Sequence, residues 1–92
     1  MPGKLLIETF GTEVRRLREG KGWSQEELAA RAGLNRSYLG EIERGDATAS
    51  LLSVGKLACA LGLNLTGLLA RCDQITGRLA PEDGATASAN RT

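Results

Sequence analysis

Between positions 36 and 44 the chain reads Arg-Ser-Tyr-Leu-Gly-Glu-Ile-Glu-Arg. Arg36, Ser37, Gly40, Glu41 and Arg44 are linked there by steps of three or four, which on a helix gathers them on one face, away from Leu39 and Ile42. An arginine fork donates two parallel hydrogen bonds and a serine hydroxyl offers one more. Such a set can read base edges in a DNA groove. Gly40, in the middle of the segment, costs a helix about 1 kcal/mol against alanine and would let a backbone come close. The same residues also suit a plain αα-corner inside a small bundle, so residue types alone leave both readings open.

Composition excludes more than it assigns. The chain of 92 residues is long enough for one small domain. It contains no histidine, which removes imidazole as general base, as partner of a nucleophile and as metal ligand. With no glycine-rich phosphate loop and no clustered carboxylates, an enzyme is not expected, nor a metal or other cofactor. Cys59 and Cys72 form no C-x-x-C pair and fit a reducing cytoplasm better than a disulfide scaffold. Residues 1–7 are too short for the apolar region of a signal peptide, and no apolar run approaches a membrane span. Twelve Lys and Arg against eleven Asp and Glu give a net charge of +1, so any nucleic-acid surface must come from local placement rather than overall charge.

Five short helices are expected to position these residues. Gly22, Gly33, Gly45 and Gly62 each follow a helical segment, where a left-handed residue closes the last turn. The first helix, about residues 7–19, buries Phe10, Val14 and Leu17 and leaves Arg15, Arg16 and Glu19 solvated; Gly11 and Gly20 weaken it. The second, about residues 25–32, is capped by Ser24, with Glu27 reaching back to the Ser24 amide and Trp23 stapled to Leu28. Leu28, Ala29 and Ala32 form its inner face. Asn35 caps the third, about residues 36–44, with a staple of Leu34 and Leu39. The fourth, about residues 49–61, buries Leu51, Val54, Leu57, Ala58 and Leu61. Asn64 caps the fifth, about residues 65–71, which adds Leu65, Leu68 and Leu69. Residues 73–92 are small and polar apart from Ile75 and Leu79 and are expected to form a disordered tail beyond a domain at 1–72.

The order of motifs carries a family resemblance. Val14-Arg15-Arg16-Leu17-Arg18, Gly22-Trp23-Ser24-Gln25-Glu26-Glu27-Leu28-Ala29, Gly33-Leu34, Ile42-Glu43-Arg44-Gly45 and Leu57-Ala58-Cys59-Ala60-Leu61-Gly62 succeed one another without a gap and run on to Leu68-Leu69. Over residues 10–69 the chain resembles the phage-repressor-like (Cro/CI-type, XRE) helix-turn-helix family. The segment from Asn35 to Arg44 looks, more narrowly, like that of restriction–modification controller proteins. The resemblance implies an all-α, five-helix, lambda-repressor-like domain whose second and third helices form the helix-turn-helix. It further implies a homodimeric transcriptional regulator that binds a pseudo-palindromic operator in double-stranded DNA and controls its own operon.

Residue by residue, the resemblance implies that Gln25 contacts a phosphate, Arg36 reads a base and Ser37 donates to a base or phosphate. Tyr38 would meet a thymine methyl or a phosphate, or else pack half-buried. Glu41 would accept from a cytosine amine, and Arg44, Thr48 and Ser53 would meet the backbone. Arg18 and Glu43 match positions that form a partly buried ion pair. Two departures stand out: Ala49 where relatives often have proline, and Ala47 where controller-like sequences often carry arginine. Leu52, Cys59 and Leu63, at i, i+7 and i+11, lie off the core stripe and are candidates for a two-fold contact beside Lys56. No small-molecule ligand is evident. The alternative reading is a DNA-binding antitoxin or adaptor whose main partner is another protein.

Overall fold

The computed structural model describes the backbone of residues 2–76 and the side chains of residues 3–72. Within them lie five helices: α1 (Pro2–Gly20), α2 (Gln25–Ala32), α3 (Arg36–Arg44), α4 (Leu51–Ala60) and α5 (Leu65–Thr76). No strand occurs among the described residues, as an all-α fold requires. α1 packs on α3 and α5, α2 on α3 and α4, and α4 on α5. The core they enclose includes Val14, Leu28, Leu39, Leu57, Leu68 and Cys72, all with no exposed surface.

Local signals decide most helix boundaries. The Ser24 hydroxyl accepts from the Glu27 amide at 3.0 Å, and Asn35 Oδ1 accepts from the Ser37 amide at 2.7 Å and the Tyr38 amide at 3.3 Å. Asn64 Oδ1 accepts from the Gly67 amide at 2.6 Å. Gly22, Gly33, Gly45 and Gly62 all take the left-handed backbone. Gly33 (φ 70°, ψ 36°) ends α2 and lets the Leu34 amide return to the Ala29 carbonyl at 2.9 Å, and Asn35 then caps α3.

Five expectations need correction. α1 starts at Pro2, about a turn earlier than its apolar stripe implied, because proline is well tolerated in a first turn and Leu6 extends the stripe onto the core. Gly11 does more than weaken α1: a Cβ there would collide with the Ile42 carbonyl oxygen and come within 3.0 Å of the Glu43 one, so its absence sets how closely α1 meets α3. The Glu27 side chain does not complete a capping box; its Oε2 accepts from Arg31 Nε at 2.6 Å instead. Leu51 is not in the core but 71% exposed. α4 starts at residue 51 rather than 49 because the Ser50 hydroxyl caps it, accepting from the Ser53 amide at 3.1 Å. At about 100° per residue, Leu51 falls at the edge of the arc occupied by Val54, Leu57, Ala58 and Leu61. It joins the outer face instead.

α5 continues to Thr76, four residues beyond the expected end of the domain at Cys72. The rest of the expected tail, residues 77–92, lies outside the described residues. Cys72 itself is fully buried, and that burial, with the Glu13 carboxylate nearby, pushes its thiol above the ordinary range.

Candidate nucleic-acid interface

The turn between α2 and α3 holds two helix starts near one another, and Gln25 connects them. It is the first residue of α2 and half-buried. Its Nε2 donates to Glu43 Oε1 at 3.0 Å, and its Oε1 accepts from Arg36 Nη1 at 3.4 Å. Glu43 is also held by Arg18, whose Nε donates to Oε2 at 2.8 Å and Nη2 to Oε1 at 3.0 Å. The Glu43 side chain is 2% exposed and that of Arg18 10%, so the ion pair expected from the resemblance is present, bidentate and nearly dry. A third Arg18 nitrogen, Nη1, donates to the Trp23 carbonyl at 2.7 Å and fastens the loop before α2. The bond to Glu43 lifts the Arg18 guanidinium further above its ordinary range.

Trp23 is gripped from outside as well. The Arg31 guanidinium lies 4.2 Å from its ring centroid and the Lys21 ammonium 5.3 Å, a cation on each contact with the ring face. The indole thus seats the N-terminal end of α2 on the core.

On α3, Arg36, Ser37, Glu41 and Arg44 are exposed as their spacing required, with Leu39 and Ile42 buried on the other side. Arg36 and Ser37 occupy the first turn, the end from which a recognition helix contacts bases. Gly40 is buried and faces its own molecule: a Cβ there would stand 3.1 Å from Arg44 Nη1 and 3.6 Å from Gln25 Oε1. A methyl there would press only on the flexible end of Arg44 and stand in ordinary contact with Gln25, and the position is buried rather than open to a foreign backbone. Arg44 Nε donates to Asp46 Oδ2 at 3.0 Å, with both side chains about 60% exposed. An ion pair so solvated is worth little and can be exchanged for a phosphate.

The remaining candidates separate. Thr48 is exposed on the connector between α3 and α4. Tyr38 is half-buried, and its hydroxyl accepts from the Ser50 amide at 3.2 Å, which ties α3 to the start of α4. Ser53, expected to face a phosphate, is 7% exposed and accepts from the Ser50 hydroxyl at 2.9 Å within the α4 cap. Hydrogen bonding to Ser53 and then to the Ser50 amide lowers the Tyr38 pKa from the ordinary phenol value. Leu63, expected on the two-fold contact, is half-buried against the core. Its amide donates to the Ala58 carbonyl at 2.8 Å, closing a Schellman turn that draws the side chain inward. What α4 exposes is a shallow apolar surface of Leu51, Leu52, Gly55 and Cys59 beside Lys56.

Two structural features escaped the sequence reading. One is Ser50, whose place before a Leu-Leu start and three residues before Ser53 was a legible cap signal. The other is Glu13, buried to 2% exposure on α1, which accepts from Arg16 Nε at 3.0 Å and lies 4.0 Å from Arg71 on α5. Among the described residues no cluster of His, Cys, Asp or Glu could hold a metal ion, and no single helix is long and apolar enough to cross a membrane.

Comparison with known proteins agrees with this geometry. A family model described as helix-turn-helix matches residues 14–68. A hypothetical transcription factor of Neisseria meningitidis is 45% identical over 56 residues, covering 61% of this chain and 53% of the relative, so the chain spans about half the length of that protein. The control protein C.BamHI of Bacillus amyloliquefaciens is 43% identical over 61 residues, covering 65% of this chain and 75% of the relative. Among solved structures, the restriction–modification controller protein C.AhdI of Aeromonas hydrophila superposes with a TM-score of 0.65 at 47% identity, covering 67% of this chain and 94% of that one. The biofilm regulator SinR, solved in complex with DNA, gives a TM-score of 0.61 at 36% identity, covering 65% of this chain and 97% of that one. With more than half its length matched and its capped second and third helices in place, the chain belongs to the Cro/CI-type (XRE) helix-turn-helix family.

Proposed function

We propose that the chain is a sequence-specific DNA-binding transcriptional regulator that works as a homodimer and governs its own promoter, as the controller of a restriction–modification operon. One observation carries the reading: Arg36 and Ser37 stand exposed in the first turn of an α3 whose opposite face is locked into the core. That helix can enter a major groove as a rigid body. Arg36 donates its fork to the O6 and N7 of a guanine, Ser37 donates to a neighbouring base or phosphate, and Glu41 accepts from a cytosine amine. Gln25, at the N-terminus of α2, faces the phosphates with Arg44 and Thr48. Tyr38 and Ser53 buttress this surface by fixing α3 against α4.

The controller role is supported by the likeness to C.BamHI and C.AhdI, whose names assign it to those proteins. The dimer is supported by the α4 surface, where Leu51 and Leu52 are 71% and 69% exposed. A second copy covering it would bring two α3 helices to half-sites roughly 10 bp apart. The activity assigned is binding, in the cytoplasm, with no cofactor, and its control variable is the concentration of dimer.

A fluorescence-anisotropy titration tests this, using DNA from upstream of the chain's own gene beside a scrambled duplex at two salt concentrations. We expect preference for the natural duplex of about a hundredfold or more, within the usual range for specific over non-specific binding. Arg36→Ala should remove most of it. Equal, weak binding to both duplexes, repeated with sequences from a random-pool selection, would sink the reading.

A further inference from the structure

We propose that an apolar cavity behind the α3–α4 connector binds a small, uncharged, single-ring molecule, and that filling it strengthens DNA binding. The cavity has a volume of about 130 Å³. Its walls are Leu6, Ile7 and Phe10 of α1, Val54 of α4, Leu69 and Cys72 of α5, and connector residues 47–49. Of these only Thr48 is exposed, so the mouth lies at the connector. Ala47 and Ala49 flank it, and their methyl groups leave open a space that longer side chains would fill. No local pattern marks this cavity, because its walls come from four separate segments.

Close-packed interiors hold few voids larger than a water molecule, and the atoms that line one lose packing partners. An engineered cavity of about 150 Å³ lined by leucine, isoleucine and phenylalanine stays dry and takes up benzene. The present cavity is similar in size and in chemistry. Apart from the Thr48 hydroxyl and the Cys72 thiol, every lining side chain is hydrocarbon. A charged guest would lose its hydration there without partners to replace it. The ligand is therefore an uncharged ring. Its link to DNA rests on the reading of Thr48 as a phosphate contact. The connector leads to Ser50, the cap of α4, and residues 47–49 form one wall of the cavity. A guest packed against that wall restrains the connector, so less freedom is lost when Thr48 meets a phosphate. Phosphates carry no sequence information, so the gain should be equal on every duplex. The ligand then shares control with the concentration of dimer.

Benzene tests the site on the full chain, first without DNA. At saturation it should raise the melting temperature by about 3–5 °C. It should shift the methyl resonances of Ile7, Val54 and Leu69 and leave those of Leu51 and Leu52 in place. Ala49→Leu fills the cavity from the connector and should abolish both effects. Ala47→Leu, run beside it, gives the same test if Ala49→Leu does not fold. A native chain unmoved by benzene overturns the proposal. So does a response that survives in the filled variant, or one that moves Leu51 and Leu52 instead and so places benzene on the α4 surface. Anisotropy then tests the coupling, with a duplex from random-pool selection and a scrambled one. Benzene should tighten both about twofold, and unequal or absent tightening overturns the effect on DNA. Failure of the selection to yield any preferred sequence is a different result. It removes the DNA reading and the coupling with it, while the site still stands or falls on the melting and resonance shifts.

Discussion

The surface of α2 and α3 and the surface of α4 are both exposed, but they are ordered by different means. On the first, Gln25, Arg36 and Arg44 are each restrained by a polar neighbour, and each helix start is capped. On the second, Leu51, Leu52 and Cys59 lie exposed along one face of α4 with glycine between them. A polar surface can be arranged before its ligand arrives, because hydrogen bonds between its own groups tolerate water. An apolar surface gains only when something covers it. On the proposed reading, the first determines what is recognised, and the second determines how many copies do the recognising.

The comparison is broken most severely by removing the buried carboxylate. Glu43→Ala leaves the Arg18 guanidinium nearly dry and without its counter-charge, which costs about 3–5 kcal/mol. Glu26→Ala, at an exposed position one residue into α2, should change stability by less than about 0.5 kcal/mol. Thermal unfolding of the two variants checks this. Equal melting temperatures would show that the clasp beneath the α2–α3 surface is not what holds it.

The α4 surface answers to a different variant. Leu52→Glu puts charge on the exposed face without disturbing the core, so the fold should keep its stability to within about 0.5 kcal/mol. Association should weaken by about 2 kcal/mol, the worth of burying one leucine. Sedimentation at tens of micromolar should show a native dimer and a variant shifted towards monomer. A native chain that stays monomeric there would remove the two-fold role of this face.

These two surfaces were not equally legible in the sequence. The helix starts at Ser24, Asn35 and Asn64 and the glycine stops were readable because a cap acts within three or four residues. The same locality made Arg36, Ser37, Glu41 and Arg44 readable as one outward face. What escaped depends on contacts between distant segments. Leu51 belongs to the apolar arc or to the surface according to how α4 is rotated against its neighbours, and periodicity alone placed it in the core. Leu63 looked like surface because the Schellman turn that draws it inward is a feature of the α4–α5 connection. Glu13 gave no sign of burial: its hydrogen-bonding partner Arg16 is one turn away and itself exposed, and the packing of α5, which brings Arg71 to 4.0 Å, is not a local signal. The inward bond of Gln25 could not be seen either, for it needs Glu43 beside it. Glu43 in turn was expected to pair with Arg18 only through the family resemblance.

Tyr38 joins the two surfaces and gives the smallest effect. Its ring is half-buried, while its hydroxyl takes the amide of Ser50, the cap residue from which α4 departs. Tyr38→Phe keeps the ring and deletes the hydroxyl with its hydrogen bonds at the α3–α4 junction, so the cost should be about 1 kcal/mol. The native chain supplies its own probe, because Tyr38 is the only tyrosine. The hydroxyl's hydrogen bonds, first to Ser53 and then to the Ser50 amide, favour the phenolate and lower its pKa. Between that lowered value and the ordinary phenol value of about 10, the unfolded chain binds more protons at this group than the folded one. Tyr38 therefore adds stability as pH rises through that window, and the gain is lost as pH falls through the folded value. Cys72 acts oppositely: its raised thiol pKa adds stability that is complete below the unfolded thiol value and lost as pH rises through the folded one. The tyrosinate absorbance titration should thus show a lower midpoint in the folded chain than in urea, and Ser53→Ala should move it back towards the ordinary value. Coincident midpoints would mean that the hydroxyl does not link α3 to α4, and that the two surfaces are joined by packing alone.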